Sequence, residues 1–243
     1  MSDETKLHNI QIGEGTLAQL FKLPQQMIDY LWERIDIAKK NPICHKKKLA
    51  GNISRSYELE DPQDLVVQHL EKIIFNQVDN PKMFEFIKRE IKTIYRRVNN
   101  KEFRVEPYLS GLWVNFQKKG EFQPVHSHNG TFSFVIWMDI PYNYKDECNL
   151  PNAKTSNKNN HGGNFSFLTA SGTTREVKPT NIEMSPEMNG YCCVFPSDLC
   201  HQVYPFYTSD KDRISISGNI AYRSISKPNP PPVYQFPFHM SET

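Results

Sequence analysis

Apolar side chains recur at helical intervals through the first hundred residues, and beyond them the spacing changes. Over 24–40, Met27, Ile28, Leu31, Ile35 and Ala38 line one face of an expected helix that Pro24 opens and Pro42 ends. Residues 62–79 repeat the pattern through Leu65, Val66, Leu70, Ile73 and Ile74, after Asp61-Pro62. A third helix is expected over about 81–98, with Phe84, Ile87, Ile91, Ile94 and Tyr95 on its apolar face. Short runs rich in aromatic and β-branched residues follow at 109–116, 132–140, 164–168, 191–196 and 213–223, punctuated by Gly, Pro and Asn. Helices followed by antiparallel-type strands predict an α+β protein, with the helices packed on one face of a β-sandwich or barrel.

These patterns divide the chain into a helical support region (1–103), a strand-rich core (104–226) and a tail (227–243), together one structural domain. Residues 142–163 are a long polar stretch, either a substrate lid or a plain insertion. The tail carries Pro228, Pro230, Pro231 and Pro232 and is expected to be extended and polyproline-like. The chain has no internal repeat.

Composition narrows the function classes. Hydrophobic residues make up 38% and aromatics 12%, which excludes a disordered chain. A net charge of +2 lacks the basic excess of a dedicated nucleic-acid binder. The five cysteines (Cys44, Cys148, Cys192, Cys193 and Cys200) fit no zinc spacing, and an odd count suits reduced thiols in the cytosol. Neither a signal peptide nor a stretch of about 18 apolar residues is present. A soluble, cytoplasmic protein is expected.

Candidate chemistry lies in two segments of the core. In Pro124-Val-His126-Ser-His128 the two histidines are two residues apart, so in an extended strand they face the same side. A third imidazole, His201, precedes a strand holding Arg213 and Ser215, again two apart. Three nitrogen donors beside a cation suggest a metal site with an anionic co-substrate next to it. His8, His45, His69, His161 and His239 are expected to be solvated or structural. Trp113 and Asn115 share a strand face, and Asn115 either binds co-substrate or substrate, or pairs a buried backbone group.

Residues from about 104 to 223 resemble the catalytic core of the iron(II)/2-oxoglutarate-dependent dioxygenases, closest to a little-characterised bacterial and phage branch related to prolyl 4-hydroxylases. The resemblance is carried by Trp113-Val-Asn115, Lys119 through His128, Ser133 to Trp137, Val194-Phe-Pro-Ser197, His201-Gln-Val-Tyr-Pro and Asp212 to Asn219. It implies a double-stranded β-helix, or jelly roll, backed by helices, with Fe(II), 2-oxoglutarate and O2 as cofactors. His126 and His201 map on the first and distal metal ligands. The wider family has His-x-Asp or His-x-Glu where this chain has His-x-His, so His128 becomes the second ligand. An imidazole there leaves the ferrous charge uncompensated, which a dianionic co-substrate offsets. Arg213 is expected to grip the far carboxylate of 2-oxoglutarate as a bidentate fork, with Ser215 adding a hydrogen bond. Trp137 stands where prolyl hydroxylase relatives often have a tyrosine, and either walls that pocket or belongs to the core.

The resemblance implies hydroxylation of a C–H bond with release of succinate and CO2. A peptidyl, prolyl-type substrate is expected, a small metabolite being the alternative, and a homodimer is allowed. Nucleic acid and membrane are not expected partners. Two other readings are a three-histidine cupin-type enzyme working without 2-oxoglutarate and a non-catalytic jelly-roll module. The cupin usually shows a Glu a few residues after His-x-His, absent from 129–134, and leaves Arg213-x-Ser215 unexplained.

Overall fold

A computed structural model describes residues 7–13, 16–75, 89, 92–94, 103–153, 161–170 and 176–226. Its frame is a long central pair. β11 (Arg213–Ser226) runs antiparallel to β4 (Phe103–Gln117) along its whole length, and its other edge pairs with β6 (Phe132–Asp139). β9 (Tyr191–Pro196) continues the sheet beyond β6, followed by β2 (Thr16–Lys22) and β1 (Leu7–Ile12). β3 (Arg55–Glu58) closes the opposite side.

The second sheet has four strands in the order β5 (Gln123–His126), β10 (His201–Val203), β7 (Phe165–Ala170) and β8 (Val177–Ile182). Every pairing in both sheets is antiparallel, and from β4 onward the chain passes back and forth between them, except that β7 and β8 follow one another in the small sheet. This is the double-stranded β-helix expected from the sequence.

Strand alternation gives the seven-stranded sheet two different faces. Leu112, Val114, Phe116, Phe134, Ile136, Ile216 and Ile220 point to one side. They pack with Leu31 and Ile35 of α1 (Gln25–Lys40) and Val66, Leu70 and Ile74 of α2 (Leu65–Phe75). The other side, with Val135, Trp137, Cys193 and Phe195, meets Phe165, Phe167 and Val203 of the small sheet. Fully burying each large aliphatic side chain contributes roughly 1.5–3 kcal/mol, so the helix-backed face alone is a sizeable source of stability.

The N-terminal region is less helical than its periodicity suggests. α1 and α2 form as expected, but residues 7–12 and 16–22 make the antiparallel pair β1 and β2 that lengthens the large sheet, and 55–58 add β3. β1 is an edge strand with only weak alternation of burial, so it carries little period-two signal. Of the third helix expected over 81–98, residues 89 and 92–94 are helical, and the rest lies outside the described residues, as does the proline-rich tail.

The start of the polar stretch at 142–163 is tied down. Asn143 caps α3 (Tyr144–Cys148) by accepting the Lys145 N–H, and the Tyr144 N–H donates to the Met184 carbonyl. Residues 154–160 lie outside the described residues. Among the described residues no helix is long and apolar enough to cross a membrane.

Candidate metal centre

β5 and β10 are neighbours, and their register sets His126 directly opposite His201, with ring centroids 4.3 Å apart. His128 lies two residues past the end of β5. Its backbone N–H donates to the Ser197 carbonyl at 2.8 Å, and its ring centroid is 5.0 Å from each of the other two. The three imidazoles offer nitrogens that all lie within 4.8 Å of one another. Sequence spacing and sheet register therefore bring together all three predicted ligands. Asp139 stands apart, paired with Ile214 at the end of β6, and no carboxylate joins the group among the described residues.

Hydrogen bonding fixes the tautomers of two ligands. His126 Nδ1 is 2.7 Å from the Pro124 carbonyl, and His201 Nδ1 is 2.9 Å from the Leu199 carbonyl. A carbonyl only accepts, so each Nδ1 carries the proton and each Nε2 keeps a free lone pair. Burial pushes the His201 pKa down to about 3 and that of His128 down to about 4, and lowers that of His126. All three are neutral at physiological pH, the form that ligates a metal. A set of three neutral imidazoles with carbonyl partners behind two of them suits ferrous iron.

Aromatic rings hold this cluster in place. Phe165 and Phe195 pack on His201 at 5.4 and 4.9 Å. On the opposite side Trp113 meets His128 at 5.8 Å, and His45 stacks on Trp113 at 4.6 Å with the planes 9° apart. His45 is thus engaged in ring packing, and so is His161, which stacks on Tyr204.

The narrow cavity between the sheets is lined by the three histidines and also by Arg213, Ser215, Ser217, Gln117 and Gln123. Arg213 is 2% exposed. Its Nη1 donates to the Tyr142 hydroxyl at 3.1 Å and to the Gly163 carbonyl at 3.3 Å, while Nε has no partner. Among the described residues no carboxylate pairs with it. A guanidinium does not shed its proton, so a buried one without a counter-ion is costly until an anion arrives.

Arg213 is gripped from the two ends of the polar stretch 142–163. Tyr142 is buried, stacks on Phe206 at 4.5 Å, and donates its hydroxyl to the Gly163 carbonyl. Gly163 has φ +73°, and a Cβ there would lie 2.5 Å from the Tyr142 ring, so only glycine fits. The Glu147 carboxylate, 1% exposed, accepts from the N–H groups of Tyr207 and Thr208 and from the Thr208 hydroxyl. These contacts pin the loop that leads into Arg213.

Ser215 sits between Asn115 on β4 and Trp137 on β6, forming one row across three strands. Both amide atoms of Asn115 and the indole nitrogen of Trp137 are buried without a hydrogen-bond partner. Such groups are rare in folded proteins unless a site needs them. Sequence reasoning overlooked Gln117, Gln123 and Tyr142. Gln117 was legible, being two residues beyond Asn115 on the same strand face; Tyr142 gave no local signal.

Residues 111–219 match a family model described as "Putative 2OG-Fe(II) oxygenase". No curated protein matches. Among solved structures, a prolyl-4-hydroxylase from Pseudomonas putida aligns at 14% identity over 86% of this chain and 93% of its own, with a TM-score of 0.44. An oxidoreductase of the 2OG-Fe(II) oxygenase family from Burkholderia pseudomallei aligns at 13% identity over 89% and 73%, with a TM-score of 0.34. A prolyl hydroxylase from Trichoplax adhaerens, in complex with a hypoxia inducible factor peptide fragment, gives 13% identity over 58% and 56%, with a TM-score of 0.31.

Proposed function

We propose that this chain, whose residues 111–219 match the 2OG-Fe(II) oxygenase family model, hydroxylates a C–H bond of a peptidyl, prolyl-type substrate. The family's cofactors are Fe(II), 2-oxoglutarate and O2. When bound, they supply the oxidising chemistry: one oxygen atom of O2 enters the substrate and the other enters succinate, with loss of CO2.

The chain's own residues then have separate tasks. His126, His128 and His201 would hold the metal through their unprotonated nitrogens. Arg213 receives the far carboxylate of 2-oxoglutarate, and the Ser215 hydroxyl donates to it. Tyr142 keeps the guanidinium fork oriented. Asn115 and Trp137, in the same cross-strand row as Ser215, do not line the cavity and would back it with their unpartnered polar atoms. Phe165 and Phe195 exclude water behind His201.

A peptidyl substrate is favoured by the outer approach to the metal. An open groove of about 830 Å³ runs past His126 and His128, with Trp113 in its wall. Its openness to solvent suits a segment of chain, whereas small-molecule sites usually bury most of their ligand.

The observation that carries this reading is the buried Arg213, with no carboxylate partner among the described residues, lining the same cavity as three neutral imidazoles. Arg213→Ala should raise the 2-oxoglutarate concentration needed for succinate release while leaving metal affinity in place. Unchanged co-substrate dependence in that variant contradicts the assignment of the pocket.

A further inference from the structure

Four side chains line both the inner cavity and the outer groove: His126, His128, Trp113 and Gln123. Two of them are candidate metal ligands. Trp113 is a wall, its ring packed against His45 and His128. Gln123 is the fourth, and its polar end has no task in the fold.

A local irregularity of the backbone aims it there. His126 is the Cα partner of His201 and Gln123 that of Val203, so three steps along β5 match two along β10. The extra residue in β5 makes a bulge. It turns Gln123 to the same side as His126, although their odd spacing in a regular strand would set them on opposite faces. Pro124 lies in this stretch, where its missing N–H costs little, and its carbonyl accepts from His126 Nδ1 at 2.7 Å. One bulge thus orients both a metal ligand and the glutamine.

Gln123 is also held from outside. The Asn52 N–H donates to the Phe122 carbonyl at 3.0 Å, and a Cβ on Gly51 would come 2.8 Å from both Cα and Cγ of Gln123. The residue is 9% exposed, yet its carboxamide forms no hydrogen bond among the described residues. Gln117, also in the cavity wall, differs, because its Nε2 donates to the Glu121 and Tyr204 carbonyls. Asn115 differs too, with its amide sealed from solvent, whereas the Gln123 amide reaches open space where cavity and groove join.

We propose that Gln123 grips the main chain of the substrate beside the modified residue. Its Oε1 accepts the N–H, and its Nε2 donates to the C=O, of one extended residue. Such a residue shows both groups on the same side, as in antiparallel pairs, and a carboxamide matches them with an acceptor and two donors. The inference rests on the oxygenase reading of the same site. 2-Oxoglutarate is the poorer occupant for this contact, because Arg213, Ser215 and Ser217 line only the inner cavity. The gripped residue must carry an N–H, so it flanks a modified proline and is not itself one.

The test is isothermal titration calorimetry on the full chain, loaded anaerobically with iron(II) and 2-oxoglutarate. The probes are acetylated, amidated alanine peptides with a central proline, and the same peptides with each alanine N-methylated in turn. N-methylation removes one N–H and leaves the side chain unchanged.

One methylated position flanking the proline should weaken binding about fivefold, the ordinary effect of losing a single hydrogen bond. Gln123→Met keeps the length and loses both polar atoms. In it the parent peptide should bind more weakly, and the parent and methylated peptides should bind alike. Gln123→Glu keeps an acceptor and should retain the discrimination that Gln123→Met erases. An unchanged melting curve shows that each variant is folded, and equal behaviour of the two folded variants contradicts the grip.

Binding that ignores the position of the methyl group, the same profile in Gln123→Met, or no binding of any of the peptides overturns the proposal. So does a loss of 2-oxoglutarate affinity in Gln123→Met as large as the loss of peptide affinity, because it places the side chain in the co-substrate pocket. Failure here with intact succinate release leaves the oxygenase reading standing. Position-dependent peptide binding without any such turnover retains the grip and removes the catalytic reading.

Discussion

The two faces of the seven-stranded sheet are built from the same strands by opposite rules. On β11, Ile214, Ile216 and Ile220 point toward the helices, whereas Arg213, Ser215 and Ser217 line the cavity. On β4, Leu112, Val114 and Phe116 oppose Trp113, Asn115 and Gln117. The helix-backed face is apolar and self-sufficient. The cavity face instead buries Asn115, the Trp137 indole nitrogen and Arg213 Nε without partners. One face stabilises the fold, and the other holds polar groups ready for a ligand, as functional sites in folded proteins do.

The sharpest way to break this division is on the cavity side. His201→Ala should reduce iron-dependent release of succinate by at least about a hundredfold, given what loss of a metal ligand or its support removes, with the fold intact by circular dichroism. Retained turnover excludes His201 as a ligand.

On the helix side, Ile216→Ala should lower stability by about 2–5 kcal/mol in denaturant unfolding, because Ile216 is fully buried. Its 2-oxoglutarate dependence should stay unchanged. A large shift in that dependence would mean that the two faces are not separable.

Arg213→Met reverses the expected sign. Replacing an unpaired buried cation by an apolar side chain should raise the stability of the metal-free protein by on the order of 1–3 kcal/mol. The same variant should lose stabilisation by 2-oxoglutarate. A destabilised Arg213→Met protein would show that Arg213 serves the fold rather than the ligand.

How much of this was legible follows from range. His126, His128, Arg213 and Ser215 obey period two, so their shared faces could be read locally, and His201 entered through its position before the Arg213 strand. The direct pairing of His201 with His126 is a register between two distant strands of one sheet, which no local window contains. Tyr142 and Glu147 were hidden for another reason. They sit in a polar stretch, and their burial depends on Phe206, Thr208 and Arg213, more than 60 residues away. The β1–β2 pair escaped because an edge strand needs little apolar alternation, and its partner β9 lies far along the chain.

A subtler effect concerns pH. Burial holds His126, His128 and His201 below the ordinary value of 6.5, with His128 at about 4 and His201 at about 3. Between 6.5 and those values the unfolded chain binds more protons than the folded one, so stability must fall as pH falls through this window. Denaturation midpoints of the metal-free protein should show that decline, and His201→Gln should make it shallower. An equal slope in the two proteins would mean that His201 is not buried in its neutral form.

The most direct measurement is an anaerobic titration of the purified protein with iron(II) and then 2-oxoglutarate, followed by visible absorption. Three imidazoles holding the metal beside Arg213 predict a weak charge-transfer band that appears only when both are present and saturates with 2-oxoglutarate. Metal binding without that band would contradict a co-substrate pocket between the sheets and leave a three-histidine metal site of another kind.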